Sequence, residues 1–222
     1  MSDLMTCMPF GHIMNWIKSE KEQSGTIFGV HKFYKAKGEP MTIFGRPLET
    51  EVGPAAGPNS QLAQNIIASY VAGARFFELK TVQMMDGREL AACVAKPCIK
   101  AEDECFNCEW STELTLPEAQ EEYIKAWFAL HVLAKEYDLG RTDGFQFNIS
   151  VGYTLDGVKT EKVTTFVDNM MEAKDTAIFK ECKAYLLEHI DDFEKFTKED
   201  VEAIVQISVI QQRSQHCTDV RR

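Results

Sequence analysis

The chain has no basic excess. Its 24 Lys and Arg are outnumbered by 34 Asp and Glu, for a formal charge of −10. Nothing offsets repulsion from phosphate, and no local basic stripe interrupts the acidic balance, which argues against nucleic acid or an anionic membrane as a partner. Residues 1–10 carry no basic segment followed by an apolar run, so no signal peptide is read there. There is also no apolar window of the ~18 or more residues that a bilayer-spanning helix needs. The most apolar helical stretch, Tyr123–Ala134, is short and carries Lys125 and His131. Histidine is scarce, and His12, His31, His131, His189 and His216 form no His-x-x-x-His or Glu-x-x-His spacing. They read as surface or packing residues. Internal repeats and low-complexity segments are absent. Cysteine is present but odd in number, seven in all, in a chain too large to need disulfide staples. That usage points to reduced thiols and a cytoplasmic setting.

What the chain does have is the profile of a packed protein: 45% hydrophobic and 26% charged over 222 residues. One domain, or one and a half, is the length expectation. Residues 1–50 read as an N-terminal extension. Pro9 opens a short helix with Phe10, Ile13, Met14 and Ile17 at helical spacing, and Gly25 ends it. Ile27–Val30 and Met41–Phe44 read as short strands around a loop bearing Gly and Pro.

From residue 51 the character changes. Glu51–Pro58 is a small-residue segment with two glycines and two prolines. A helix follows, with Asn59 or Ser60 as its cap and Leu62, Ile66, Tyr70 and Gly73 on one face. Arg75–Val82 is a compact β-type run, so strand end, helix and strand form a βαβ unit with parallel pairing. A long connection from Gln83 to Leu114 shows little periodicity, a length that is often functional. Thr115–Glu118 is a capping box opening a strong helix with Tyr123, Trp127, Leu130 and Ala134 inward; Gly140 is its expected stop. Phe145–Ser150 is a further strand, followed by a turn at Asp156–Gly157. Helices are expected at Glu161–Met171 and at Phe179–Phe193, the latter with Phe179, Cys182, Leu186 and Ile190 inward. Thr197 caps a last one.

This β-α-β-α rhythm is an α/β fold, and a (β/α)8 barrel is one way to complete it. A closed barrel takes roughly 250 residues, whereas only about three βα units are visible before a tail at residues 205–222. The fold class expected is therefore an incomplete TIM barrel, its N-terminal half, with a short α/β extension. Residues 51–204 would be its first βα units.

Three places could carry chemistry. The Gly/Ala-rich segment 53–58 lets backbone approach a flat cofactor ring, though a tight connection explains it equally. Lys80, followed by Thr81, ends a hydrophobic strand on the side that faces the active site in α/β barrels, where a cation stabilises developing negative charge. A solvated strand-end lysine is the plainer alternative. Asn148 is a polar amide inside a strand, and a buried Asn must find partners. The four thiols Cys93, Cys98, Cys105 and Cys108 raise metal binding, but their C-x4-C-x6-C-x2-C spacing matches neither a two-knuckle zinc pattern nor the ferredoxin runs. The acid pairs Glu121-Glu122 and Asp191-Asp192 read as solvated helix faces.

The string from Val52 to Asn65, continued by Phe77–Gln83, resembles the N-terminal part of a family of large bacterial flavoprotein and iron–sulfur subunits named for selenate reduction. Residues Ala101–Glu113 and Phe147–Tyr153 are similar to the same family. Its first portion resembles the dihydroorotate and dihydropyrimidine dehydrogenase barrel. The resemblance implies that Ala55, Ala56 and Gly57 lie against FMN, that Lys80 and Thr81 contact the flavin, with Lys80 catalytic, and that Asn148 reaches flavin or substrate. It loosely places Asn107 on the substrate side. The family's Asn-Leu-Ser-Cys-Pro stretch reads Asn148-Ile149-Ser150-Val151-Gly152 here, so the Cys-Pro that accompanies pyrimidine or orotate binding is missing.

The resemblance runs to about residue 204. Beyond that point the family continues through the rest of the barrel to regions expected to hold FAD, NAD(P) and iron–sulfur clusters. The reading is an N-terminal fragment of a flavin-dependent oxidoreductase subunit, with other redox subunits or electron-transfer proteins as partners and a small-molecule substrate. It is expected to bind FMN weakly and to be inactive alone, because the phosphate-binding loops of such barrels follow strands 7 and 8. A frameshifted reading frame is one origin expected for the divergent tail. The alternatives are a cysteine-rich metal-binding or scaffold module without catalysis, and a product that aggregates through unpaired strand edges.

Overall fold

The computed structural model describes residues 5–82, 84–85, 89, 92, 114–152, 154–207 and 209–213, the last of these as backbone. Helix α1 (Phe10–Ser24) buries Phe10, Ile13, Met14 and Ile17, the four residues its spacing singles out, and ends on Gly25 at a left-handed φ of 71°. The segment after it is less regular than expected. Ile27 and Val30 form only an isolated bridge, with Phe28 at φ 45° between them. The Glu20 carboxylate holds this bend by accepting from the Phe28 and Gly29 amides and the Thr26 hydroxyl. Strands β1 (Met41–Ile43) and β2 (Arg46–Leu48) make a two-stranded antiparallel hairpin.

A 3-10 turn, Pro58–Ser60, leads into α2 (Ala63–Ala72). Neither Asn59 nor Ser60 caps this helix. Its first amide, Ala63, donates to the carboxylate of Glu122, fifty-nine positions away in sequence, at 2.7 Å. Strand β3 (Phe76–Glu78) follows, and helix α3 (Leu116–Glu136) opens on the expected capping box, Thr115 with Glu118. Helix α3 is buried without interruption from Glu122 to Leu130. It packs against α2 and against the later helical segments Glu161–Met171 and Ala177–Glu188. Its exit lies earlier than Gly140: the helix gives way at Tyr137, and Asp138 takes the positive φ of 52°.

Strand β4 (Gln146–Val151) is followed by a one-turn helix, α4 (Leu155–Val158), where a simple turn was expected. Helices α5 (Glu161–Met171), α6 (Ala177–Glu188) and α7 (Lys198–Ala203) complete the helical layer. Helix α6 starts two residues before Phe179 and stops short of Phe193, because a separate 3-10 turn, Ile190–Asp192, takes over with no residue fully buried. The tail supplies one further strand, β5 (Val209–Arg213).

Strands β3, β4 and β5 lie side by side and parallel, with Phe77 opposite Phe147 and Asn148 opposite Ile210. A fourth segment flanks β3. Val52 O accepts from the Arg75 and Phe76 amides, and Pro54 O accepts from Glu78. The register advances in the same sense on both segments, so residues 52–54 run parallel to β3. Pro54 has no N–H to return to Phe76 O, which leaves half a ladder. Gly53 is required for this approach, since a Cβ there would lie 1.3 Å from the Phe76 carbonyl oxygen. The architecture is thus an open parallel sheet covered by helices on one face, the first half of a (β/α)8 barrel. Among the described residues the sheet does not close.

Alternation sorts the two faces. Phe77 and Phe147 pack ring to ring at 5.5 Å, and Trp127 of α3 lies 5.1 Å from Phe147, so the odd-numbered positions face the helices. Phe76, Glu78, Gln146 and Asn148 face the opposite way, toward the barrel interior. The β1–β2 hairpin covers that interior at the N-terminal end of the strands. The Gln146 side-chain amide donates toward the carbonyls of Ile43, Arg46 and Pro47, and Phe44 lies 6.5 Å from Phe76.

Two buried ion pairs tie the layers together. Arg75, fully buried, donates to Glu49 at 2.9 Å and to the carbonyls of Tyr70, Ala74 and Leu139, with its guanidinium 3.9 Å from the Tyr70 ring. Glu122, expected on a solvated face, is instead buried beside Lys125 at 2.5 Å, and Lys125 donates to Met8 O. Its neighbour Glu121 and the pair Asp191-Asp192 are exposed as expected. Among the described residues, no helix is long and apolar enough to cross a membrane.

Candidate functional site

The C-terminal rim of the sheet gathers the singled-out residues from three adjacent segments. Beyond Pro54 the first segment turns through Ala55 and Ala56, both exposed, into Gly57. The Ser60 side chain holds this turn: its hydroxyl oxygen lies 3.3 Å from both the Gly57 amide and the Ala55 carbonyl. Gly57 is extended, at φ −168°, so no left-handed backbone conformation calls for glycine there. The result is a backbone shelf with no side chain larger than methyl.

Lys80 sits on a bulge. The Leu79 amide donates to Asn148 O, and the next amide to reach β4 is that of Val82, which donates to Ser150 O. Three steps on one strand match two on the other, so one residue is extra. The bulge resets the alternation: Leu79 and Val82 are both fully buried, and Lys80 and Thr81 fall between them. The backbone is pinned on each side of Lys80, its amide donating to Ser60 O at 3.4 Å and its carbonyl accepting from the Tyr123 hydroxyl at 3.0 Å. Lys80 is 4% exposed, so the solvated strand-end lysine is not what the structure shows. Its Nζ lies 3.5 Å from Thr81 O. A bulge at a barrel rim commonly re-aims a side chain beside a site, and sequence spacing gives no sign of it.

Asn148 is fully buried on the interior face. Its Nδ2 donates to Glu78 Oε2 at 2.7 Å, while its Oδ1 is enclosed without a hydrogen-bond partner. Leaving a buried acceptor unpaired costs about 1–3 kcal/mol, so this oxygen calls for a donor. Glu78, which sequence reading passes over, is the missed member of the set. No local spacing marks it, because its partner Asn148 lies seventy positions away on the neighbouring strand.

The rim therefore offers a flat shelf, a buried cation and an unpartnered acceptor, a combination that fits the polar edge and face of an aromatic ring cofactor. Asn107 and the cysteines at 93, 98, 105 and 108 lie outside the described residues. Among the described residues no three His, Cys, Asp or Glu side chains cluster as metal ligands. Cys7 is half-buried and Cys182 buried; burial pushes the Cys7 thiol up to about 12 and that of Cys182 higher still, so neither is a reactive thiolate.

Comparison with known proteins identifies relatives. The chain is 48% identical over 198 residues to the protein named "Putative oxidoreductase YgfK" in Escherichia coli (strain K12), and equally to its namesake in Escherichia coli O157:H7. Each match covers 86% of this chain and 19% of the relative, so the chain spans about a fifth of their length. No solved structure matches it. Residues 28–215, which include all four parallel segments, match the family described as "Oxidoreductase YgfK, N-terminal TIM-barrel domain", and the chain belongs to that family.

Proposed function

We propose that this half-barrel is the flavin-binding portion of an oxidoreductase subunit, with FMN seated on the rim formed by Ala55, Ala56, Gly57, Lys80, Thr81 and Asn148. The observation that carries the reading is the buried Asn148 Oδ1 left without a donor, on the strand next to the one that leads into the buried Lys80. FMN, when bound, supplies the hydride or electron exchange that side chains cannot. The chain's own residues bind and orient. The shelf at Ala55–Gly57, with no side chain larger than methyl, would lie against the face of a flat ring. The Lys80 ammonium, held at the rim by the Ser60 and Tyr123 contacts to its backbone, provides positive potential for an electron-rich ring edge. Asn148 offers its oxygen to a ring N–H.

The finer features follow the resemblance to selenate-reductase-type and dihydropyrimidine-dehydrogenase-like subunits. They are a small-molecule substrate approached from the Asn107 side, redox subunits as partners, a cytoplasmic setting, and FAD, NAD(P) and iron–sulfur groups in the remaining four-fifths of the longer relatives.

The test is a fluorescence titration of FMN with the purified chain. Saturable quenching is expected, weak because the described strands do not include the phosphate-binding loops that follow strands 7 and 8. Lys80→Met should weaken it about tenfold or more, the equivalent of ~1.4 kcal/mol. Equal quenching by wild type and variant would remove Lys80 from the site.

A further inference from the structure

We propose that Glu78 is a positioning residue that fixes the Asn148 amide with its oxygen toward the rim, so that the site selects a ring edge presenting an N–H donor. This rests on the flavin reading of the same site.

Glu78 and Asn148 are register partners on adjacent parallel strands, and their side chains meet on the interior face at 2.7 Å. An ionised carboxylate accepts hydrogen bonds and never donates. The amide nitrogen must therefore face Glu78, because a turned amide would bring two acceptor oxygens together where Asn148 is fully buried and Glu78 partly so. The strands clamp the pair, since the Leu79 amide donates to the Asn148 carbonyl just beyond the contact. With its nitrogen committed, Asn148 has only Oδ1 to offer, and that atom is enclosed and unpartnered. Alone, an asparagine would meet a carbonyl or an N–H equally well. Glu78 removes the first option. On the oxidised isoalloxazine ring the only N–H is N3–H, flanked by two carbonyl oxygens, so Glu78 sets which atom of that edge can meet Asn148.

The experiment compares riboflavin with 3-methylriboflavin by fluorescence quenching, on the full chain and on Glu78→Gln. Both probes lack the phosphate, so the ratio reports on the ring edge. The wild type is expected to prefer riboflavin by about tenfold or more, and Glu78→Gln, whose amide can donate as well as accept and so lets Asn148 turn, by under about threefold. A variant that keeps the full preference, or a wild type with none, overturns the role of Glu78 while leaving flavin binding intact. A wild type that binds neither probe overturns the flavin reading, and the ligand-free chain then decides the rest by NMR. The Asn148 side-chain amide should show one downfield, slowly exchanging proton in the wild type that is lost in Glu78→Gln against an otherwise unchanged spectrum. An unchanged Asn148 signal contradicts the proposal.

Discussion

The Tyr123 hydroxyl donates to the Lys80 carbonyl oxygen at 3.0 Å, joining the central helix to the bulge on which the rim is built. Tyr123 is fully buried, and burial pushes its phenol far above the usual tyrosine range, so it is a neutral donor. Tyr123→Phe keeps the ring against Phe166 but leaves the Lys80 carbonyl without this partner. A loss of about 1–3 kcal/mol is expected by urea denaturation. Flavin affinity should fall with it, because the bulge that aims Lys80 loses one of its anchors.

The Arg75–Glu49 pair lies at the other end of the strands and should behave differently. Both side chains are buried, and removing one partner strands the other. Arg75→Leu is expected to cost about 3–5 kcal/mol in chemical denaturation. The N-terminal end of barrel strands serves stability rather than catalysis, so the fraction that remains folded should bind flavin as the wild type does. A folded variant with impaired flavin binding would show that the two ends are coupled.

His131 gives the protein an acid-sensitive point. Its ring lies between Trp127 and Phe145, with Nε2 enclosed and unpartnered. Burial lowers its pKa from 6.5 to about 4, with Asp143 and Asp200 drawing it partly back. Between these values the unfolded chain binds a proton that the folded chain refuses. The stability from this group is therefore complete above about pH 6.5 and declines as the pH falls toward 4, by on the order of 3 kcal/mol. Urea denaturation of His131→Phe should show a flatter profile across that window than the wild type. Parallel profiles would mean the imidazole is hydrated in the folded state.

Where periodicity and capping carry the information, the sequence was readable. The inward stripe of α1, the Thr115–Glu118 box and the span of α5 all follow from local spacing, and the half-barrel follows from the order of such elements. Long-range partners were not legible. Glu122 looks like half of a solvated acid pair, yet it caps α2 from another helix, and Asn59 and Ser60 lose that role because the 3-10 turn intervenes. Gly140 looks like a helix stop, but Asp138 accepts the positive φ first. At the rim, Ala55–Gly57, Lys80 and Asn148 could be named from their residue types. The bulge that frees Lys80 and Thr81 from strict alternation, and the carboxylate that commits Asn148, exist only once β3 and β4 are paired.

The central claim is that flavin binds at the C-terminal rim, and amide chemical-shift mapping during an FMN titration of the full chain tests it most directly. Shifts concentrated at Ala55, Ala56, Gly57, Lys80, Thr81 and Asn148, with Glu49, Arg75 and Gln146 at the opposite end unmoved, are the predicted result. Shifts confined to that opposite end, or none at saturating FMN, would contradict it.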